Sequence, residues 1–139
     1  MSTTLAGSCF CGVVHYRIQS TAERFYYCEC AQCRKMTGSI AATNLRLAPA
    51  PIEWQSGAKH IRVFRAADGR DFTRCFCTIC GSGLPYLNRP GDALVVPAGS
   101  LDTLPPMAVE RRVFAAERPD WASFASRLPA HVGFAPASH

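Results

Sequence analysis

Apolar and polar residues alternate with a period of two along most of the chain. Val14, Tyr16 and Ile18 alternate with His15 and Arg17, which predicts a half-buried strand over residues 12–19. Residues 25–27 form an aromatic, strand-like run that leads directly into Cys28. Ile61 and Val63 flank Arg62 and predict a strand over 61–65. Asp68-Gly69 then marks a hairpin turn, with residues 71–76 returning. Residues 93–97 and 108–114 predict two more short strands. Helical signals are sparse. Residues 31–37 suit one short helix ended by Gly38. Residues 119–128 suit a second. Pro119 fits a first helical position, and Trp121, Phe124 and Leu128 share a face expected to pack on the sheet. The predicted class is mainly β with one or two short helices.

The chain has 139 residues, no internal repeat and no long linker, so it reads as a single domain over 1–139. Apolar residues make up 48% and charged residues 18%, which excludes a disordered tail protein. The opening residues MSTTLAGSCF lack the basic and apolar stretches of a secretory leader. No apolar run approaches the ~20 residues that span a bilayer. A cytoplasmic, reducing setting without membrane attachment is the expectation. The net charge of +5 is modest, and Lys and Arg are scattered rather than blocked. Seven metal-bound thiolates holding two Zn2+ would lower it further. No nucleic-acid partner is expected.

Eight cysteines are the unusual feature. In a reducing compartment, clustered cysteines bind metal more often than they form disulfides. Their spacings match none of the iron–sulfur runs. Cys77-x-x-Cys80-Gly81 is a zinc knuckle, and Cys9-x-Cys11-Gly12 supplies a second glycine-closed pair. Joined, the four thiolates make a closed structural site between distant parts of the chain. In an extended segment, Cys9 and Cys11 would share a face. Cys28, Cys30 and Cys33 supply three thiolates with no fourth ligand at a comparable spacing. Three protein ligands and one open position are the arrangement of a catalytic zinc, and such a site suits a thiol substrate. Cys75 is the remainder. It either completes the three-cysteine cluster, making both zincs structural, or points toward the first site.

These motifs carry a resemblance. Gly7-x-Cys9-x-Cys11-Gly12, Cys28-x-Cys30-x-x-Cys33-Arg34-Lys35, Phe76-Cys77-x-x-Cys80-Gly81-Ser82 and Gly99-Ser100-Leu101-Asp102 resemble the glutathione-dependent formaldehyde-activating family, whose domain also occurs in centromere protein V. The resemblance covers about residues 7–128. It implies an Mss4-like fold of twisted antiparallel sheets stapled by zinc. It implies one structural zinc on Cys9, Cys11, Cys77 and Cys80, and a second, labile zinc on Cys28, Cys30 and Cys33, where a glutathione sulfur engages. The implied reaction is a carbon–sulfur lyase type that joins formaldehyde to glutathione as S-hydroxymethylglutathione. The alternative is a non-enzymatic zinc module for protein interaction or thiol carriage.

Glu29 departs from the family, which commonly has His at that position. Two readings are open: a solvated surface charge, or a proton acceptor near the site. Arg34 and Lys35 follow the third ligand directly. They either meet the carboxylates of a glutathione-like substrate or form a solvated turn that offsets the thiolate charge.

Overall fold

One long strand organises the architecture. The computed structural model describes residues 1–122 and 127–136. In chain order it contains β1 (Ser2–Ser8), β2 (His15–Cys28), α1 (Ala31–Thr37), β3 (Ala42–Leu47), β4 (Ile52–Ser56), β5 (Ile61–Arg65) and β6 (Thr73–Cys77). β7 (Gly83–Leu84), β8 (Tyr86–Leu87), β9 (Leu94–Pro97) and β10 (Arg111–Val113) follow, with short 3-10 turns between elements. The first half of β2 pairs antiparallel with β1 and β4. Its second half pairs antiparallel with β3 and parallel with β10. The larger sheet runs β1-β2-β3-β9-β8, and a smaller one runs β5-β6-β7.

The two strands expected at 12–19 and 25–27 are therefore one. What joins them is a bulge between Ala22 and Arg24 in the pairing with β3. Before it, Tyr16, Ile18 and Ser20 point inward; after it, Phe25 does. An extra residue reverses the alternation, so the strand bends while both halves keep an apolar inner face.

Tyr16 is the centre of the core. Its ring meets Trp54 edge-on with centroids 6.1 Å apart, and its hydroxyl lies 2.7 Å from Ser100 Oγ. Leu5, Ile18, Leu45, Leu47, Leu84, Leu94 and Val96 complete the buried cluster. Gly7 faces Tyr16 across the β1–β2 ladder. A Cβ there would lie 2.2 Å from the Tyr16 hydroxyl and 2.4 Å from the Ser100 carbonyl, so only glycine fits.

Several expectations shift. β5 has the expected bounds, but its return strand starts at Thr73, and the connection is longer than a tight hairpin. Ala66 N–H closes it by donating to Phe72 O at 3.0 Å, with Gly69 left-handed at φ 89°. The strand at 108–114 shortens to β10. The sequence pattern predicts none of β1, β3, β4, β7 and β8. Helix α1 forms as expected, with Gly38 left-handed at its C-terminus. Of the helix expected at 119–128, Asp120–Ala122 is a 3-10 turn, and residues 123–126 lie outside the described residues. Ala122 N–H donates to Pro119 O, and the Arg118 guanidinium donates to the Ala122 carbonyl. Trp121 is 72% exposed and Leu128 67%, so neither packs on the sheet; Phe124 lies outside the described residues.

Candidate metal centres and the adjoining cleft

The chain ends brought together by the sheets carry two separate sulfur clusters. Cys9, Cys11, Cys77 and Cys80 have their sulfurs within 4.8 Å of one another. Cys9 follows β1, and Cys77 ends β6. Residues 9–12 form a turn rather than an extended segment: Gly12 N–H donates to Cys9 O at 3.1 Å. Gly81 N–H donates to Cys77 O at 2.8 Å in the matching turn. Both glycines are left-handed, at φ 79° and 78°, which lets the chain close without strain. The shared face of Cys9 and Cys11 thus comes from a knuckle, not from strand alternation. Cys9 Sγ lies 3.5 Å from Cys11 Sγ, which lies 3.9 Å from Cys77 Sγ. A tetrahedron with Zn–S bonds of ~2.3 Å separates its sulfurs by ~3.8 Å, so the donor set fits zinc. The Ser82 hydroxyl and amide hold the Cys80 thiol down to about 5. The Ser82 hydroxyl also accepts from Phe10 N–H, tying the two turns together.

The second cluster is made at the junction of β2 and α1. Cys28 ends β2, Cys30 caps α1 and Cys33 lies in its first turn, with the three sulfurs again within 4.8 Å. Cys30 Sγ accepts from Cys33 N–H at 3.4 Å. Hydrogen bonding with Cys33 holds the Cys28 thiol down to about 6, against burial. The same pairing, with burial, pushes the Cys33 thiol far up. Three sulfurs at this spacing can hold one metal ion and leave a tetrahedral position over. Among the described residues no other Cys, His, Asp or Glu joins either cluster.

A cleft of about 520 Å3 opens beside this second cluster, with all three of its cysteines in the wall. Arg24, Arg46, Arg89 and Arg111 line it, together with the carboxylates of Asp71 and Glu117. The arginines come from four places: β2, β3, the loop after β8, and β10. Arg46 bonds Glu23 and Asp92 at 3.3 and 3.4 Å. Arg89 is fixed by two carbonyls, Ala66 O and Arg70 O. Glu117 Oε1 accepts from Ala31 N–H at 3.2 Å, at the start of α1. None of these residues carries a local sequence signal, because sheet pairing and the loops after β5, β8 and β10 bring them together from distant parts of the chain.

Arg34 and Lys35 lie in the last turn of α1, and neither lines the cleft. Glu29 is not a solvated charge: it is 4% exposed. Arg112 donates to both its carboxylate oxygens at 3.0–3.1 Å, and Arg118 lies 3.9 Å away. Its backbone N–H donates to Val113 O, so Glu29 fastens β10 to the ligand loop. Cys75 is buried in β6 outside both clusters, and burial pushes its thiol up to about 11.

Comparisons with known proteins point one way. The sequence model described as glutathione-dependent formaldehyde-activating enzyme matches residues 4–117. A Halomonas elongata protein, provisionally named a glutathione-dependent formaldehyde-activating enzyme, is 35% identical over 130 residues, covering 88% of this chain and 82% of its own. A crystal structure of a Rhodobacter sphaeroides protein matches with a TM-score of 0.56 at 20% identity, over 77% of this chain and 98% of its own; this supports the fold alone. Among the described residues no helix is long and apolar enough to cross a membrane.

Proposed function

The chain belongs to the glutathione-dependent formaldehyde-activating enzyme family, and from that premise we propose that it joins a small aldehyde such as formaldehyde to the thiol of glutathione, and cleaves the adduct in reverse, beside a zinc held by Cys28, Cys30 and Cys33. A second zinc on Cys9, Cys11, Cys77 and Cys80 is structural. The observation that carries this reading is the contrast between the two sulfur sets. One is complete at four sulfurs; the other has three and faces an arginine-lined cleft.

When bound, zinc supplies an electropositive position at which an incoming thiol loses its proton near neutral pH. The chain's own residues do the rest. Arg24, Arg46, Arg89 and Arg111 receive the two carboxylates of glutathione, which fixes the sulfur at the cysteine cluster. The sulfur lone pair forms the C–S bond with the aldehyde carbon, and the carbonyl π pair moves onto oxygen. That oxygen takes the proton the thiol released, so no oxidant or reductant is needed. Glu117 and Asp71 are the carboxylates in the cleft wall able to carry that proton. Glu29 is a poorer choice, since both its oxygens are engaged by Arg112. The free thiols fit a reducing, cytoplasmic setting.

A zinc module for protein interaction would account for the four-sulfur site but not for four arginines around the three-sulfur one, whereas thiol carriage would use the same arginines and differs from the enzyme in lacking turnover. The test is to load the protein with two zinc ions per chain, then follow adduct formation from glutathione and formaldehyde by exchange spectroscopy. Turnover above the spontaneous rate, lost in Cys30→Ser, is the expected result. A spontaneous rate in the fully loaded protein overturns the reading.

A further inference from the structure

A second cavity of about 230 Å3 lies behind the cleft, and the two share Cys33, Asn44, Phe72, Thr73 and Tyr86 in their walls. The rest of its wall is mostly apolar or small, with Met36, Ala41, Leu84, Pro97 and Ala98, and includes one charged residue, Arg74. One polar atom stands out. Thr73 is 6% exposed, and its hydroxyl oxygen has no hydrogen-bond partner among the described residues. A buried hydroxyl without a partner is costly and calls for a reason. Thr73 lines both chambers, where a bound oxygen atom would satisfy it.

The size of the space is the second argument. A water molecule occupies ~30 Å3 of liquid, and an apolar cavity of ~150 Å3 accepts benzene. Formaldehyde is close to water in size and would leave most of this space unfilled. Cys33 opens the cavity, so an aldehyde carbon bonded to a sulfur held at the cluster can direct its substituent inward. We propose that this inner cavity receives the apolar substituent of an aldehyde of roughly three to six carbons, with Thr73 as hydrogen-bond partner to the aldehyde oxygen. The substrate class is then aliphatic aldehydes, of which formaldehyde is the smallest. The inference rests on glutathione docking at the Cys28, Cys30 and Cys33 cluster, and it deepens that reading by assigning the other half of the adduct.

The main test is calorimetric and needs no turnover; the role of Thr73 is read separately by kinetics. Glutathione, S-methylglutathione and S-butylglutathione are titrated into the zinc-loaded protein. Each buried methylene is worth about fourfold in affinity, so the butyl adduct is expected to bind at least tenfold tighter than the methyl adduct. Ala98→Leu, which fills the cavity, is expected to bring that ratio toward one. Ala41→Leu serves if Ala98→Leu fails to fold. Thr73→Val, of the same shape, is expected to keep the butyl-to-methyl ratio but raise KM for butanal. Equal binding of methyl and butyl adducts alongside clear glutathione binding overturns the inference and leaves the proposed function standing. Absence of glutathione binding itself overturns both.

Discussion

Glu29 and Arg112 form a lopsided ion pair: the carboxylate side chain is 5% exposed, whereas the guanidinium is 47% exposed. The partners therefore differ in what they leave behind when cut. Arg112→Ala strands a buried carboxylate with only Arg118 nearby. Glu29→Gln strands a guanidinium that water already reaches. Breaking a fully buried pair costs ~3–5 kcal/mol, and exposed pairs are worth under ~1 kcal/mol. Arg112→Ala is expected to cost about 2 kcal/mol, and Glu29→Gln about half that. Urea denaturation of the zinc-loaded variants checks the order, and equal or reversed losses count against a fastening role for this pair.

The two sulfur clusters predict opposite responses to losing one ligand. The four-sulfur set joins the end of β1 to the end of β6, which no sheet ladder connects. Structural zinc contributes ~10–16 kcal/mol in small domains, as much as the whole stability of most folds. Cys80→Ser is expected to yield protein that does not fold. Cys30→Ser is expected to fold normally and carry one zinc per chain instead of two. Metal analysis and circular dichroism read both outcomes. Normal folding of Cys80→Ser would remove the structural role assigned to that site.

Which parts of this were legible in the sequence follows from range. Cys77 and Cys80, or Cys28, Cys30 and Cys33, make their geometry within a single turn, so spacing alone exposed them. The cleft arginines are set by pairings such as Tyr26 with Arg111 and Arg46 with Val95, which no local pattern reveals. β1 was invisible because its inner face is Leu5 and Gly7, too small to make a period of two stand out. The bulge beside Ala22 broke β2 into two apparent strands. The sequence leaves Glu29 open between a surface charge and a proton acceptor because its partner Arg112 lies 83 residues away. Trp121 and Leu128 carry a helical period in the sequence, yet both side chains are exposed.

Arg46 and Arg89 predict how the cleft recognises an acidic thiol. A hydrogen bond to a charged group contributes ~1.5–3 kcal/mol when well shielded, and less in an open cleft. Arg46→Ala and Arg89→Ala are each expected to weaken glutathione binding about tenfold. Arg34→Ala, outside the cleft wall, is expected to leave it unchanged. Raising the salt concentration should weaken the wild type more than either cleft variant, because screening removes what the substitution has already removed. A tenfold loss in Arg34→Ala with none in Arg89→Ala would mean that the carboxylates dock elsewhere.

Tyr16 predicts the alkaline limit of the fold. Burial pushes its phenol up to about 12, against about 10 for an exposed tyrosine, despite the hydrogen bond with Ser100. The neutral form is thus the one that folds. Below pH 10 both states hold the proton and stability is unaffected. Between pH 10 and 12 the unfolded chain ionises first, so stability falls, by about 2–3 kcal/mol over the window. Tyr16→Phe loses the hydroxyl contact and is expected to cost about 1 kcal/mol at pH 7. Ser100 Oγ keeps its bond to Pro97 O at 2.7 Å, so it is not left unpaired. The variant has no phenol to ionise, so its stability should decline less above pH 10, and the two curves should cross near pH 11. Gly7→Ala, which drives a methyl group into the same hydroxyl, should lower stability at every pH without changing the slope. Urea unfolding at intervals from pH 7 to 11.5 measures all three; parallel curves for wild type and Tyr16→Phe would show that the alkaline loss has another source.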